Sequence, residues 1–361
     1  MHFPARLPFL AALSAALGLG SGLGLGQPVS VQLTLAQADV APRTVHRTAV
    51  WIRPPASPQE LERTLVAAKQ AGFTEVLLEG FYHGRAIWKS DVAPMELNYD
   101  ALAVASAVAG REGLGLNLWF ETLYWRPASS FGIPVTPLWK DSYATLSSKG
   151  QTSLEVSKLG FVDPADPEVQ ELLSRLTGEL GRLYPQVGLH LDYLRYPREA
   201  DFGYHPAAVS AFKAQTGLEL RVPESREGGT PDDPGSRHEP GGTVPEWRTF
   251  RQAQITGLAG RLISSYHAAG GRGLVSAAVF RLRDPLQDWR NWPGLEVAMP
   301  MFYYPVPLLY RLLPFQFAPS ASIWPGIQVR AGGSPLAEQL ALLHSLGYPN
   351  VAVFGWTPDL P

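Results

Sequence analysis

The chain contains no cysteine among its 361 residues. This absence excludes disulfide bonds, thiolate catalysis and lipid attachment through a cysteine side chain. Without disulfides the folded chain depends on its buried core, and 45% of the residues are hydrophobic. The composition therefore favours one large globular domain or two smaller ones over disorder.

The chain also has almost no net charge, because 30 lysines and arginines oppose 32 aspartates and glutamates. This balance gives no indication of nucleic acid or of an anionic membrane surface as a partner. Three common signatures are missing as well, namely G-x-S-x-G, the P-loop and H-E-x-x-H. We therefore predict no cofactor. We also predict no metal, because His190-x-Asp192 together with His83 is a weak metal signal.

The N-terminal segment MHFPARLPFLAALSAALGLG is typical of an export signal. A weakly basic start precedes an apolar run over residues 7–17, and Ala36 and Ala38 fit the A-x-A pattern of a cleavage site. We therefore predict a signal peptide over residues 1–38, a secreted, periplasmic or cell-envelope location, and no membrane segment beyond the signal. An uncleaved anchor is the alternative, although the glycine and alanine content makes a poor membrane span.

Eight short runs follow, and each is almost continuously apolar, as expected of strands buried on both faces. They cover residues 48–54, 74–80, 115–121, 187–193, 274–280, 295–304, 323–329 and 350–356. Helical patterns separate most of the runs, and alternating strands and helices favour a parallel sheet. Because eight strands close a (β/α)8 barrel, we predict this α/β fold, a TIM barrel.

The connecting segments carry helix signals where they begin. Ser57 and Pro58 fit the N-cap and the first position of a helix, and Glu60 fits a capping box. Asp166 and Pro167 begin a later helix in the same way. A doubly wound open sheet is the main alternative, but the turn after the first run lacks the glycine-rich sequence typical of that fold.

Two features depart from a regular barrel. The chain ends soon after the last apolar run, so we expect no standard eighth helix. Long insertions follow the third and fourth strands, over residues 122–160 and 198–246. The second insertion contains a charged Gly/Pro-rich stretch, which predicts a flexible loop over residues 223–246 within a single catalytic domain over 39–361.

Polar and aromatic residues gather at the carboxyl ends of the predicted strands, which is the face where barrel enzymes build their sites. The opposite ends show no such accumulation. Three carboxylates among arginines and aromatic rings indicate a carbohydrate-like site. The candidate site residues are Arg53, Glu79, His83, Trp119, Glu121, His190, Asp192, Arg195, Tyr196, Tyr303, Gln328 and Trp356.

Asp192 is the leading catalytic candidate. It ends the predicted fourth strand, and Glu121 ends the adjacent third strand. Glycoside hydrolysis needs two carboxyl groups, which lie about 5.5 Å apart in retaining enzymes and further apart in inverting enzymes. We therefore predict Asp192 and Glu121 as the pair, with Glu79 as the alternative partner. The other interpretation of Asp192 is an ion pair with Arg195 or Arg53 that holds the barrel rim.

The remaining candidates are predicted to hold the substrate or the carboxyl pair. Trp119, Tyr196, Tyr303 and Trp356 offer rings for stacking on sugars, although packing explains many such residues. His190 is interpreted as a residue that orients a neighbouring carboxylate rather than one that transfers protons.

Several longer segments resemble the glycosyl-hydrolase-like family ten, a group of exported bacterial barrels distantly related to the α-amylase-type glycosidases. The resemblance rests on AVWIRP, GFTEVLLEGFYHGRAIWKS, LGLNLWFETLYW and FVDPADPEVQELLSRLTGELGRLYPQVGLHLDYLRYP, and it covers roughly residues 46–357. It implies a (β/α)8 barrel with the family's catalytic aspartate at Asp192 and its acidic residue after the third strand at Glu121. The chain departs from the family before Gly188, where many members have Asp-Gly, and at residues 88–90, where Tyr-Pro-Ser is usual.

The rim residues and the resemblance together predict an exported glycoside hydrolase, and the resemblance implies peptidoglycan glycan or a related envelope polysaccharide as substrate. Asp192 would be the nucleophile or would stabilise the oxocarbenium-like state, and Glu121 would be the acid/base. The expected partner is a polysaccharide or oligosaccharide. Two alternatives stay open. One is a non-catalytic glycan-binding barrel of the envelope, and the other is a lyase or deacetylase, which a metal at His190 and Asp192 would favour.

Overall fold

The computed structural model describes residues 46–220, 245–303, 307–320 and 322–359. The predicted signal peptide over residues 1–38 and residues 223–244 of the predicted loop lie outside the described residues. Pro245 and Glu246, the last two residues of the predicted loop, form the first turn of a long helix. A proline suits this position, since the first helical N–H groups have no partner within the helix.

Eight parallel strands form the centre of the fold. They are β1 (Thr48–Ile52), β2 (Glu75–Tyr82), β3 (Gly115–Glu121), β4 (Gly188–Asp192), β5 (Val275–Val279), β6 (Val297–Pro300), β7 (Gly326–Gln328) and β8 (Val351–Phe354). Their hydrogen-bonded order is β7-β8-β1-β2-β3-β4-β5-β6. Parallel bridges from Ala298 to Ile323 and from Met301 to Gly326 bring β6 beside β7. The strands form a nearly closed (β/α)8 TIM barrel, which confirms the predicted fold.

Most strands are shorter than the apolar runs that predicted them. The run over residues 295–304 contains β6 only at Val297–Pro300, and the run over residues 323–329 contains β7 only at Gly326–Gln328. A proline stands at the end of β6, and Pro325 stands just before β7. Proline has no N–H to donate to a neighbouring strand, so hydrogen bonding in the sheet is interrupted at these points.

The barrel interior is filled by large side chains. The inward-facing cluster consists of Ala49, Trp51, Leu77, Trp119, Val297, Met299, Trp324 and Ala352. The outward faces of the strands pack against the helices in a second, larger core. The barrel is therefore a packed core rather than a pore.

Helices surround the strands. In the described residues they are α1 (Pro58–Gln70), α2 (Ala101–Glu112), α3 (Ser153–Ser157), α4 (Pro167–Leu183), α5 (Pro206–Thr216), α6 (Pro245–Ala268) and α7 (Leu336–Ser345). Ser57 Oγ accepts a hydrogen bond from the N–H of Glu60 at 3.3 Å, which caps α1. The Asp166 carboxylate accepts from the N–H groups of Glu168 and Val169, which caps α4. Both predicted helix starts are confirmed.

The ring of helices is irregular over the second half of the barrel. The connections after β5 and β6 contain 3₁₀ turns at Trp289–Asn291 and Pro307–Phe315, and only β7 is followed by a further α-helix in the described residues. In the part of the chain that the structure describes, no helix follows β8 up to Asp359. None of the described helices combines the length and apolarity needed to cross a bilayer.

The two insertions lie on the carboxyl face, where both begin at strand ends. The one after β3 contains the short antiparallel strands Tyr124–Arg126 and Gly160–Phe161, which pair with each other, and helix α3. It also contains 3₁₀ turns at Ser129–Phe131 and Asp141–Tyr143. The insertion after β4 contains α5. A further short strand, Arg85–Ala86, folds back on the end of β2.

The register between β4 and β5 depends on a glycine at position 273. A Cβ atom on Gly273 would lie 2.4 Å from the backbone nitrogen of Gly188, the first residue of β4. The atoms nearest to this Cβ all belong to the backbone, so no flexible side chain can move aside. We expect Gly273→Ala to lower the free energy of unfolding by about 1–3 kcal/mol or more, since backbone must move to accommodate the methyl group. Urea denaturation measures the change.

Gly110→Ala is the matched control. Gly110 is exposed on α2, and a Cβ there meets no atom within 4 Å. Glycine gives the unfolded chain more conformational freedom than alanine does, so this variant should gain about 0.5–1 kcal/mol in the free energy of unfolding. Equal effects of the two substitutions would contradict the close packing of Gly273 against the start of β4.

Candidate active site

Three acidic side chains converge at the carboxyl ends of neighbouring strands. Glu79 lies on β2, and Glu121 and Asp192 are the last residues of β3 and β4. Glu121 and Asp192 are direct partners in the strand register, so their Cα atoms lie about 4.8 Å apart and their side chains share one face. Only 4%, 3% and 6% of the surfaces of Glu79, Glu121 and Asp192 are exposed. The sequence prediction placed these residues together, and the structure brings them together.

Asp192 is surrounded by hydrogen-bond donors. Its Oδ2 accepts from Trp119 Nε1 at 3.0 Å, and its Oδ1 accepts from the backbone N–H of Tyr193 at 2.6 Å and from Arg195 Nη1 at 3.4 Å. Burial raises the pKa of Asp192, whereas the charge of Arg195 and these donors lower it. Donors of this kind favour the ionised form, so we assign Asp192 as the carboxylate of the three.

Glu121 has the opposite surroundings. Its Oε2 atom is buried and has no hydrogen-bond partner among the described residues. Burial raises the pKa of Glu121 well above its usual range, and the charges of Glu79 and Asp192 raise it further. Desolvation and the two neighbouring acids therefore both favour the protonated form of Glu121.

Glu79 links the trio to an arginine at the surface. Arg53 Nε lies 3.3 Å from Glu79 Oε2, and 71% of the Arg53 side chain is exposed. Burial raises the pKa of Glu79 to about 7, although the charge of Arg53 and a hydrogen bond with Glu121 act in the opposite direction. Glu79 and Glu121 therefore form a coupled pair that holds a proton near neutral pH. Arg85 does not take part, because it pairs with Glu96 at 3.6 Å.

His190 lies inside the barrel and has no exposed surface. Its Nε2 accepts a hydrogen bond from Trp51 Nε1 at 3.1 Å, and its Nδ1 lies 2.9 Å from Ser276 Oγ. An indole nitrogen only donates, so Nε2 is unprotonated and Nδ1 carries the hydrogen. Burial lowers the pKa of His190 to about 3. Both ring nitrogens are occupied, which leaves His190 no free lone pair for a metal.

Two non-glycine residues beside the acids have left-handed backbone conformations. Tyr193, directly after Asp192, has φ of 52°, and His83, four residues after Glu79, has φ of 51°. His83 and Gly84 form the two-residue turn between β2 and the strand that folds back on it. Such conformations cost free energy and cluster at functional sites, so their position supports the assignment of this rim as the site.

Aromatic rings that the sequence analysis did not select complete one wall of the site. Tyr193 lies 5.2 Å from Tyr124 and 5.9 Å from Phe161, and the Arg195 guanidinium lies 4.4 Å above the Tyr193 ring. The charge of Glu121, after burial, contributes to a rise in the pKa of Tyr124 to about 12. The position of Tyr193 next to Asp192 was a usable signal, whereas Tyr124 lies in an insertion and gave none.

Other predicted residues also lie near the trio, although in different roles. Trp119 was predicted to stack on sugars, but its ring is 4% exposed inside the barrel and its N–H is directed to Asp192. Tyr303 stacks on Phe354 at 5.3 Å, and the charge of Asp192 adds to the effect of burial in raising the pKa of Tyr303. The His83 ring lies edge-on to a tyrosine of the wall, and burial lowers its pKa to about 4.

Three predicted residues are not brought to the trio. The Tyr196 hydroxyl is buried without a described partner, and the charges of Asp163 and Arg251 influence its pKa after burial. Trp356 packs edge-on against Phe73 at 5.1 Å in the outer core. Gln328 ends β7, where it pairs in register with a residue of β8. Among the described residues, no group of three or more histidine and acidic side chains is placed to hold a metal ion.

Comparisons with known proteins bear on the fold. No protein-family model matches the chain, and no curated protein matches it significantly. The catalytic domain of β-amylase from Paenibacillus polymyxa has a similar structure, with a TM-score of 0.56 over 86% of this chain and 92% of that one, at 10% sequence identity. The two proteins share the TIM-barrel fold. Membership of glycosyl-hydrolase-like family ten stays a prediction.

The hydrogen bonds of His190 predict that its ring does not titrate in the ordinary range. Because burial lowers its pKa to about 3, the imidazole should stay neutral, with the hydrogen on Nδ1, between pH 8 and pH 4.5. The ¹⁵N chemical shifts of a histidine-labelled sample measure this. Titration of His190 near pH 6.5 would contradict the assignment.

The buried carboxyl pair predicts a stability that declines with rising pH. The pKa of Glu79 is about 7 in the folded state against 4.5 in the unfolded state, so its contribution is complete below pH 4.5 and is lost as pH rises through 7. Glu79→Gln should remove up to about 3 kcal/mol of this decline between pH 4.5 and pH 8. Urea denaturation at a series of pH values measures the slope.

Glu62→Gln is the control for that experiment. Glu62 pairs with Arg111 at the surface at 2.8 Å, and about half of its side chain is exposed. This variant should keep the slope of the wild-type protein. If Glu79→Gln also keeps that slope, the buried proton is not held where we place it.

Proposed function

We propose that this chain is an exported glycoside hydrolase that acts on peptidoglycan glycan or a related envelope polysaccharide. The observation that carries the proposal is the in-register pair of Glu121 and Asp192, in which hydrogen-bond donors hold Asp192 while the Oε2 atom of Glu121 has no partner among the described residues. Hydrolysis of a glycosidic bond needs one protonated and one ionised carboxyl group close together. The chain supplies that pair on two adjacent strands.

The charge states assign a role to each carboxyl group. Glu121, which lacks donors at Oε2, keeps a proton and donates it to the oxygen of the leaving group as the bond breaks. Asp192, held by Trp119, Tyr193 and Arg195, faces the anomeric carbon as nucleophile or as stabiliser of the positive charge. The low exposure of the trio strengthens these electrostatic interactions, because little water screens them.

Glu79 and Arg53 support the acid. The negative charge of Glu79 favours retention of the proton on Glu121. Glu121 loses this proton to the leaving group and regains it from the water molecule that attacks the anomeric carbon in the second step. Arg53 is mostly exposed while its Nε contacts Glu79, so the rest of its guanidinium is available to substrate hydroxyl groups. Glu79 is therefore a third member of the site rather than a replacement for Glu121.

The substrate class has separate support. A TIM-barrel fold shared with a β-amylase catalytic domain is compatible with a carbohydrate substrate. The envelope location rests on the predicted signal peptide, and peptidoglycan rests on the resemblance to glycosyl-hydrolase-like family ten. Tyr193, which is partly exposed and packs on the buried Tyr124, gives a sugar ring an apolar surface beside Asp192.

A non-catalytic glycan-binding barrel is the second candidate. The observation that favours it is the small exposed fraction of all three carboxyl groups, which limits the access of a polymer to them. Binding without cleavage would use the exposed Arg53 and the aromatic wall alone. The two candidates differ in one measurable outcome, the release of new reducing ends.

Two substitutions test the catalytic pair on purified peptidoglycan, with and without its stem peptides, by mass analysis of the released fragments. Glu121→Gln and Asp192→Asn keep the size of each side chain and remove its acid function, so each should lower the rate about 10²–10⁴-fold. Asp91→Asn, at an exposed carboxylate, should retain full activity. Full activity of Asp192→Asn would contradict its assignment as a catalytic carboxylate, whereas no cleavage by the wild-type protein would favour the binding barrel.

The leaving group separates the two roles. An aryl glycoside with an acidic phenol leaves without protonation, so Glu121→Gln should lose much less activity on it than on a natural glycosidic bond. Asp192→Asn should lose activity on both substrates, because its charge is needed at the anomeric carbon. Kinetic measurements on the two substrates give the comparison. Equal losses for Glu121→Gln on both substrates would contradict its role as the acid.

A further inference from the structure

A groove runs away from the proposed active centre along the connection between β5 and β6. Its inner hollow, of about 180 Å³, is lined among others by Arg195, Arg198 and Phe280. Its outer hollow, of about 500 Å³, is lined among others by Gln252, Arg283 and Arg290. The two hollows adjoin, because Asp284, Pro285 and Gln287 line both. We call this surface the β5 groove.

The inner end of the β5 groove reaches the proposed catalytic carboxylate. Arg195 lines the inner hollow and lies 3.4 Å from Asp192 Oδ1. A ligand that extends along the groove can therefore place one of its units beside Asp192. Both sides of the groove arise from the carboxyl ends of β4 and β5, which is the face that carries the three acids.

The junction of the two hollows is held in place by a buried amide. Gln287 is 3% exposed, and its side-chain oxygen accepts from the N–H of Phe280 at 2.8 Å. Its side-chain nitrogen donates to the carbonyl of Leu194 at 3.2 Å. These bonds tie the loop after β5 to the loop after β4, so the floor of the groove is formed before a ligand binds.

Positive charge exceeds negative charge along the β5 groove. Four arginines line it, at positions 195, 198, 283 and 290, against two aspartates, at positions 284 and 288. If Asp192 is counted against Arg195, one positive charge still remains. Arg198 pairs with Asp284 only loosely, at 3.7 Å, and Arg283 is exposed without an ion pair in the described chain.

Aromatic rings support the guanidinium groups. Arg195 and Arg198 lie 5.0 Å and 4.7 Å from the Phe280 ring centre, and Arg290 lies 4.4 Å from that of Trp289. A guanidinium held over a ring keeps its planar fork of N–H groups available at the edge. Such forks match the two oxygens of a carboxylate, which they bind through paired hydrogen bonds.

We propose that the β5 groove binds an acidic glycan chain, and that Arg198 and Arg283 bind carboxylate groups on sugar units outside the catalytic centre. The inference rests on the proposed function only in placing one sugar unit at Asp192. The outer hollow falls in the size range of ligand sites, and its amide side chains suit sugar hydroxyl groups. Sulfated sugars carry the same sign of charge without the planar carboxylate. The test therefore includes one, to separate carboxylate recognition from a general attraction of negative charge.

The test measures binding by calorimetry with the full chain. Glu121→Gln is the background, because it removes the proposed acid and keeps the size of the side chain. The probes are hexasaccharides of galacturonate and of hyaluronate, the same sugars after reduction of their carboxyl groups, and a sulfated maltohexaose. Arg198→Ala and Arg283→Ala, singly and together, are compared with Arg175→Ala, which removes one exposed arginine from α4 outside the groove.

We expect at least one uronate hexasaccharide to bind, with about a fivefold loss for each groove variant and about a 20-fold loss for the double variant. Arg175→Ala should bind as the background protein does. The carboxyl-reduced sugars should bind more weakly and be insensitive to both groove variants. Thermal unfolding of each variant verifies that it is folded.

The outcomes are separable from those of the proposed function. No binding of either uronate, equal binding of the reduced sugars, a preference for the sulfated sugar, or no effect of the groove variants would overturn the carboxylate groove, even if the wild-type protein cleaves glycans. If uronate binding depends on the arginines but the wild-type protein cleaves no glycan, the result would support the groove and contradict the proposed hydrolase function.

Discussion

The site depends on the desolvation of three carboxyl groups at adjacent strand ends, where donors are distributed unequally. Asp192 receives an indole N–H, a backbone N–H and a guanidinium, whereas one oxygen of Glu121 receives nothing. In water the groups would all ionise at similar pH. In the barrel burial raises the pKa of all three groups, and hydrogen-bond donors oppose this rise at Asp192 far more than at Glu121. The different roles proposed for Glu121 and Asp192 therefore follow from their surroundings in the barrel and not from the difference between glutamate and aspartate.

The interior of the barrel makes that division possible. Trp51, Trp119 and Trp324 fill the space beneath the acids and exclude water from below. Two of these rings also use their N–H groups, one on Asp192 and one on His190. The packing that stabilises the barrel and the hydrogen bonds that orient the site are thus made by the same side chains. A neutral histidine among them satisfies buried donors and acceptors without adding charge.

Sequence reasoning predicted the strands well and the connections less well. Strands buried on both faces leave continuous apolar runs, so each barrel strand was found, and only its ends were misplaced where prolines interrupt hydrogen bonding. The roles of individual aromatic residues were less accessible. Trp119 and Trp356 look alike as residues at strand ends, yet one donates to Asp192 and the other packs on Phe73. Whether a ring lies inside the barrel or between the strands and the helices depends on contacts between segments far apart in the chain.

The sequence by itself determined that this is a cysteine-free barrel with Glu79, Glu121 and Asp192 at the carboxyl ends of neighbouring strands, because periodicity and strand order are local properties of the chain. The tertiary structure alone decided which acid keeps its proton, which tryptophan holds the carboxylate, and how the loops after β4 and β5 combine into a basic groove. These properties depend on distances and solvent exclusion between residues more than 70 positions apart, as from Trp119 to Asp192 and from Leu194 to Gln287, and no local pattern encodes them.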